Sequence, residues 1–299
     1  MMMNPGFPMK NTGSISSTRS SNRIPAAEAP SSQINKAVIM EYSAEAGEAN
    51  TIMKRIAFFN VKGGVGKTTS AVNIAWLAAQ DDTNTILWDL DPQSCASWYM
   101  GIADDHPNKS INIFKGKTPI GKLRLHTTQP RLSVIPADLS LRKLEAILAD
   151  EAKSEQLLQK LTEHLSEQSK LLIFDCAPAY SKLSENLFSN CDVLTIPLLP
   201  SPLSLRSYSQ LKEFLQRKKR WRKLTLQPFF TMVDRRRKIH NDVIKDATNV
   251  IGDDDPIVIP YASEYEKMGI HQAPIHAFAP ATQAAKAYEL LWERLKARN

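Results

Sequence analysis

The residues with the clearest chemical purpose are Asn60-Val61-Lys62-Gly63-Gly64-Val65-Gly66-Lys67-Thr68-Thr69, a run of glycines, lysines and hydroxyls suited to holding phosphate. Glycine lets a backbone turn so that successive N–H groups point inward at phosphate oxygens. A helix opening near Thr68 adds the positive end of its dipole. Lys67 is then placed to reach the β- and γ-phosphates, and the Thr68 hydroxyl suits a magnesium ion. The loop expected to wrap the phosphates runs Lys62, Gly63, Gly64, Val65, Gly66, Lys67, Thr68 and Thr69.

Two further segments supply acid. Asp89-Leu90-Asp91-Pro92-Gln93 follows an apolar stretch, Thr85–Trp88. Leu171-Leu172-Ile173-Phe174-Asp175 reads as a buried strand ending in a carboxylate. An apolar strand with a terminal acid is the arrangement that binds magnesium through water in phosphoryl-transfer sites, which makes Asp175 a metal-site candidate. Acids just past strand ends lie at the carboxyl edge of a parallel sheet, where such folds bind ligands.

Positioning these groups requires alternating strands and helices. Strands are expected at Arg55–Asn60, Thr85–Trp88, Arg131–Pro136, Lys170–Phe174, Asp192–Pro197, Leu226–Met232 and Pro256–Ile259. Helical patterns occupy Thr68–Gln80, Leu139–Glu167, Ser204–Lys219, Ile239–Val250 and Thr282–Ala297. This order predicts an α/β fold, a mostly parallel sheet with helices on both faces. Asp104–Pro130 has weak periodicity and reads as a surface excursion with at most one short helix. Residues 1–53 are rich in Ser, Ala, Pro and Asn and are expected to be a mostly disordered tail, leaving 54–299 as one domain.

The loop Lys62–Thr69, KGGVGKTT, resembles the deviant Walker A motif of the ParA/MinD/Soj ATPases, which is marked by its early lysine. The Asp89–Gln93 element is similar to the family's first switch, and the likeness extends over roughly 54–298. The resemblance implies ATP and Mg²⁺ as cofactors and a homodimer formed on ATP, with Lys62 crossing to the partner's nucleotide. It implies that Asp91 orients the attacking water and that Asp89 supports the magnesium shell through water. It also implies a nucleotide contact at Pro260. The family commonly has Thr where Cys176 stands, and a thiol is the weaker hydrogen-bond donor.

The formal net charge is +7, and residues 1–54 hold five cations against four acids, so the excess lies mainly in the body. Arg217, Lys218, Lys219, Arg220, Arg222 and Lys223 surround Trp221, and Arg235, Arg236, Arg237 and Lys238 follow the strand ending near Met232. Each run alone can be a solvated helix end. The two flank one strand and are expected to converge on one face that attracts a nucleic-acid backbone. Trp221 either stacks on a base or packs inside, and packing is the commoner role. The resemblance implies DNA binding without sequence preference in this region, with Arg236 near a family position. It further implies nucleoid association and a ParB-like or cargo adaptor partner that stimulates hydrolysis.

Cys95, Cys176 and Cys191 are far apart and form no CxxC pair, so neither a disulfide framework nor a zinc cluster is expected. Their positions do not suit the iron–sulfur cluster of the related nitrogenase iron protein. The opening segment has no apolar core of a secretory signal and the chain no membrane-length apolar run, so a cytoplasmic location is expected. A membrane-surface ATPase like MinD is the rival reading, and it requires a terminal amphipathic helix that folds on lipid. Tyr288–Lys296 is amphipathic but carries acids, and is expected to be a docked closing helix instead.

Overall fold

The computed structural model describes residues 53–103, 109–149, 157–163 and 165–298. The N-terminal residues read above as disordered lie outside that set, apart from Met53, which is buried.

Eight strands form one sheet: β1 (Lys54–Phe58), β2 (Thr85–Asp89), β3 (Leu125–His126), β4 (Leu132–Ile135), β5 (Leu171–Asp175), β6 (Val193–Leu198), β7 (Thr225–Val233) and β8 (Val258–Pro260). Their spatial order is β3-β4-β2-β5-β1-β6-β7-β8. Every pairing is parallel except β3 with β4. Buried on both faces, the strands read as continuous apolar runs. Along β1, Ala57 joins one core layer while Ile56 and Phe58 join the other, as a two-residue side-chain period requires.

The helices are α1 (Lys67–Gln80), α2 (Cys95–Tyr99), α3 (Ile111–Phe114), α4 (Leu144–Leu148), α5 (Leu157–Glu163), α6 (Lys182–Asn190), α7 (Pro202–Gln216), α8 (Lys238–Asp246), α9 (Thr248–Ile251), α10 (Glu264–His271), α11 (Ile275–Phe278) and α12 (Gln283–Lys296). On one face, α1 packs centrally with α12 against it. On the other, α6 and α7 are joined by an aromatic cluster of Phe59, Phe188, Phe214 and Trp221. The closing helix α12 buries Ala284, Tyr288, Leu291, Trp292 and Leu295. Its last turn is capped by Lys54, whose ammonium donates to the carbonyls of Leu295, at 2.8 Å, and Arg298.

Two expectations need correction. The long helix read over 139–167 is interrupted, because Asp138 accepts from the Ser140 N–H at 2.7 Å and starts a 3-10 turn over Leu139–Lys143 before α4. The excursion 104–130 is more than surface. Ile111, Ile113, Phe114, Ile120 and Leu123 are buried, and Phe114 stacks on Trp88 with ring centroids 5.9 Å apart. Its helix is a single turn, too short to give a periodic signal.

Candidate functional site

The loop after β1 turns back at the carboxyl edge of the sheet. Gly64 and Gly66 hold φ of 68° and 87°, backbone that a side chain would strain. Gly66 immediately precedes α1 as its N-cap, so the helix N-terminus opens directly into the loop. Two tethers fix this shape. Asn60 donates from Nδ2 to the Pro197 carbonyl at 2.8 Å and accepts the Lys62 N–H at 3.0 Å. From β7, the Thr231 hydroxyl donates to the Val65 carbonyl at 2.9 Å. The sequence reading missed both. A threonine inside the apolar run Phe229-Phe230-Thr231 was the available clue to the second.

Lys67 is buried, and its ammonium donates to the Lys62 carbonyl at 3.1 Å. Burial pushes its pKa down, against the opposing pull of Asp175. Thr68 and Thr69 are half-buried in the first turn of α1, while Gly63 and Gly64 are exposed. Lys62 is half-buried, and among the described residues it has no ion-pair partner.

Asp89 and Asp175 are the last residues of neighbouring strands and stand in register with each other. Both are fully buried. Asp89 is held by Ser97 of α2, which donates from its N–H at 2.9 Å and its hydroxyl at 2.8 Å, and by the Asp91 N–H at 3.1 Å. Desolvation pushes the Asp89 carboxyl up to about 6 in spite of these donors. Asp175 is raised well above the carboxylate range by burial first and by Asp89 next, with the Thr68 hydroxyl and Lys67 pulling back. Neither Asp175 oxygen has a well-formed hydrogen bond. A sealed carboxylate pair in which Asp175 keeps unspent lone pairs, beside a threonine hydroxyl, fits a hard, oxygen-seeking cation such as Mg²⁺.

Asp91 is half-buried at the loop, where its carboxylate accepts the Gln93 N–H at 2.9 Å. Pro260 ends β8, and its carbonyl accepts from the Tyr265 hydroxyl at 2.9 Å. The Cys176 thiol is buried and turned to the Phe174 carbonyl at 3.8 Å. Ser97 could not be found by spacing alone, since the fold carries it back from α2.

The two basic runs do not share a face. Arg217, Lys218, Lys219, Arg220, Arg222 and Lys223 precede β7, at the amino edge of the sheet, whereas Arg235, Arg236, Arg237 and Lys238 follow it at the phosphate-loop edge. A nine-residue strand separates them by roughly 25–30 Å. Their nearness in sequence hid that length. Arg236 forms a two-point pair with Asp234, at 2.9 and 2.8 Å, and its side chain stays 87% exposed. Trp221 is buried, and its indole N–H donates to the Ser189 hydroxyl at 2.9 Å, so it packs and does not stack on a base.

A parallel sheet with a glycine loop leading into α1 and strand-end acids beside it defines a P-loop nucleoside triphosphatase. Residues 53–227 match the AAA domain family. Chromosome-partitioning ATPase Soj of Treponema pallidum is 30% identical over 250 residues, covering 82% of this chain and 98% of its own. Sporulation initiation inhibitor protein Soj of Bacillus subtilis is 28% identical, covering 79% and 95%. Among solved structures, an ATP complex of Cyanothece McdA superimposes with a TM-score of 0.74 at 19% identity, covering 83% of this chain and 98% of that one, which shows the shared fold. The chain belongs to the ParA/MinD/Soj family of ATPases.

Proposed function

We propose that this chain is an ATP-driven positioning switch. It binds ATP in the loop Lys62–Thr69, pairs with a second copy across the nucleotide, and holds DNA without sequence preference. Its cargo is a plasmid or chromosome centromere complex, or a protein assembly. A ParB-like or other cargo adaptor stimulates hydrolysis and so releases the dimer. The working location is the cytoplasm, on the nucleoid. The observation that carries this reading is the unpaired, fully buried Asp175 beside Asp89, facing Lys67 at the mouth of the glycine loop.

In this reading the loop amides and Lys67 take the phosphates, which requires the lysine to leave the Lys62 carbonyl. Thr68, Asp175 and Asp89 would hold Mg²⁺, which supplies charge neutralisation between phosphate oxygens when bound. Asp91, at the rim of the site, orients the attacking water. The Lys62 ammonium has no ion-pair partner within its own chain among the described residues and is left to serve the second copy's nucleotide. Opposed polyphosphates need such a cation between them. Pro260 adds a nucleotide contact.

The test compares DNA retention in ATP and in ADP. Wild type is expected to hold DNA more strongly in ATP, Lys67→Ala to lose the difference, and Asp91→Ala to stay bound because it cannot reset. Equal retention in all conditions would remove the switch. The membrane-surface alternative, a MinD-like role, is weakened by α12, whose apolar face is already spent on the sheet layer of α1. Among the described residues no helix is long and apolar enough to cross a membrane.

A further inference from the structure

The basic run at the amino edge is built differently from a loose charged tail. Trp221 anchors it in the core, packed edge-on against Phe188 at 5.6 Å and against Phe214 at 5.2 Å. Lys218 lies 4.6 Å over the indole and Arg220 5.5 Å from it, and Glu185 pairs with Lys218 at 3.0 Å. This clamp fixes the turn Lys219–Trp221 between α7 and β7. The other four cations, Arg217, Lys219, Arg222 and Lys223, are exposed, and among the described residues none has an ion-pair partner. Like charges held this close on a rigid turn repel one another, so the surface is poised for an external polyanion.

We infer that Arg217, Lys219, Arg222 and Lys223 form a second DNA-phosphate surface that works whether or not nucleotide is bound. Independence follows from place. The patch sits at the end of the sheet opposite the glycine loop, and the whole of β7 lies between it and the groups that change with ATP. The choice of DNA over a lipid surface follows from composition. No large exposed apolar residue lies within 213–224 to enter a bilayer, whereas Ile239, 49% exposed, adjoins the other run. The inference takes its polyanion from the proposed function, but it needs neither ATP binding nor dimerisation. If copies pair through their nucleotide edges, the two patches of a dimer face outward and bridge separate DNA segments.

The experiment measures affinity of the full chain for random-sequence duplex DNA in ADP, between about 50 and about 200 mM salt. A variant carrying Arg217→Gln, Lys219→Gln, Arg222→Gln and Lys223→Gln is compared with wild type. Wild type is expected to bind in ADP, and the variant's log–log salt slope to be shallower by about 3–4, near 0.9 per lost phosphate contact. The ATP-dependent increment should survive in that variant and be lost in Arg235→Gln/Arg237→Gln/Lys238→Gln. Single Lys219→Gln and Arg222→Gln variants, each lowering the slope by about one, keep the test open should the fourfold variant fold poorly. Equal slopes, or no wild-type binding in ADP at the lower salt, would overturn the inference. So would patch-dependent binding to phosphatidylglycerol–phosphatidylcholine vesicles without DNA binding. Absence of any ATP increment in wild type would count against the proposed switch, while the ADP comparison would still judge the patch.

Discussion

Asp175 is the residue whose surroundings make the sharpest demand. It is buried, stands in register with a second acid on the neighbouring strand, and lacks good hydrogen bonds, so it is destabilising until something positive arrives. A carboxyl raised in the folded state binds its proton more tightly there than in the unfolded chain. The stability it contributes is present below the ordinary carboxylate range and is lost as pH rises through the folded value, about 6 for Asp89. Nucleotide-free Asp175→Asn is therefore expected to gain melting temperature over wild type as pH rises, and the gap to close as pH falls. The same variant should lose the extra stabilisation that Mg²⁺ adds to ATP. Melting curves over pH, with and without Mg²⁺–ATP, check both. The candidate loop and all three acids were legible in the sequence because their chemistry depends on local order. Ser97 was not, since the bond from α2 to Asp89 exists only once the chain has folded back.

At the scale of elements, β7 ties the loop's shape to the sheet. Thr231→Val keeps the strand's volume but leaves the Val65 carbonyl without its donor, a loss of about 1 kcal/mol. Affinity for ATP is expected to fall several-fold while the fold persists, which nucleotide titration and a thermal melt would separate. The helix α12 has the opposite profile. Leu291→Ala removes a side chain with no exposure and is expected to lower stability by about 2–5 kcal/mol, seen in denaturant melts, with nucleotide contacts intact. Strands other than β3 were readable as apolar runs to within a residue or two, as were the long helices α1 and α12, whereas β3, two residues long, lies in the run read as a surface excursion and α7 ends three residues before the expected Lys219. The run 139–167 was misjudged because its apolar spacing is helical while Asp138 and a 3-10 turn break it at the start. Helix α6, which opens with a Ser181–Ser184 capping box, went unread between two strands for lack of length.

For the whole molecule, the main revision concerns direction. Sequence proximity suggested that the two basic runs converge, yet the parallel sheet sends them to opposite edges. Charge reversal at the carboxyl edge, Arg235→Glu with Arg237→Glu, is expected to abolish the ATP-dependent part of DNA retention. Retention in ADP should change little, as nitrocellulose or surface-capture assays in both nucleotides would report. The opposite pattern would mean that the distant run is the gated one. Which edge each run occupies depends on strand direction and order, and no stretch of sequence states either.

Lys54 and the carbonyls of Leu295 and Arg298 sit within one side chain's reach, so the first strand and last helix of the ATPase body nearly meet. A short linker could therefore join Arg298 to Met53, with new termini opened in the exposed turn at 115–117. Such a circular permutant should fold and still turn over ATP.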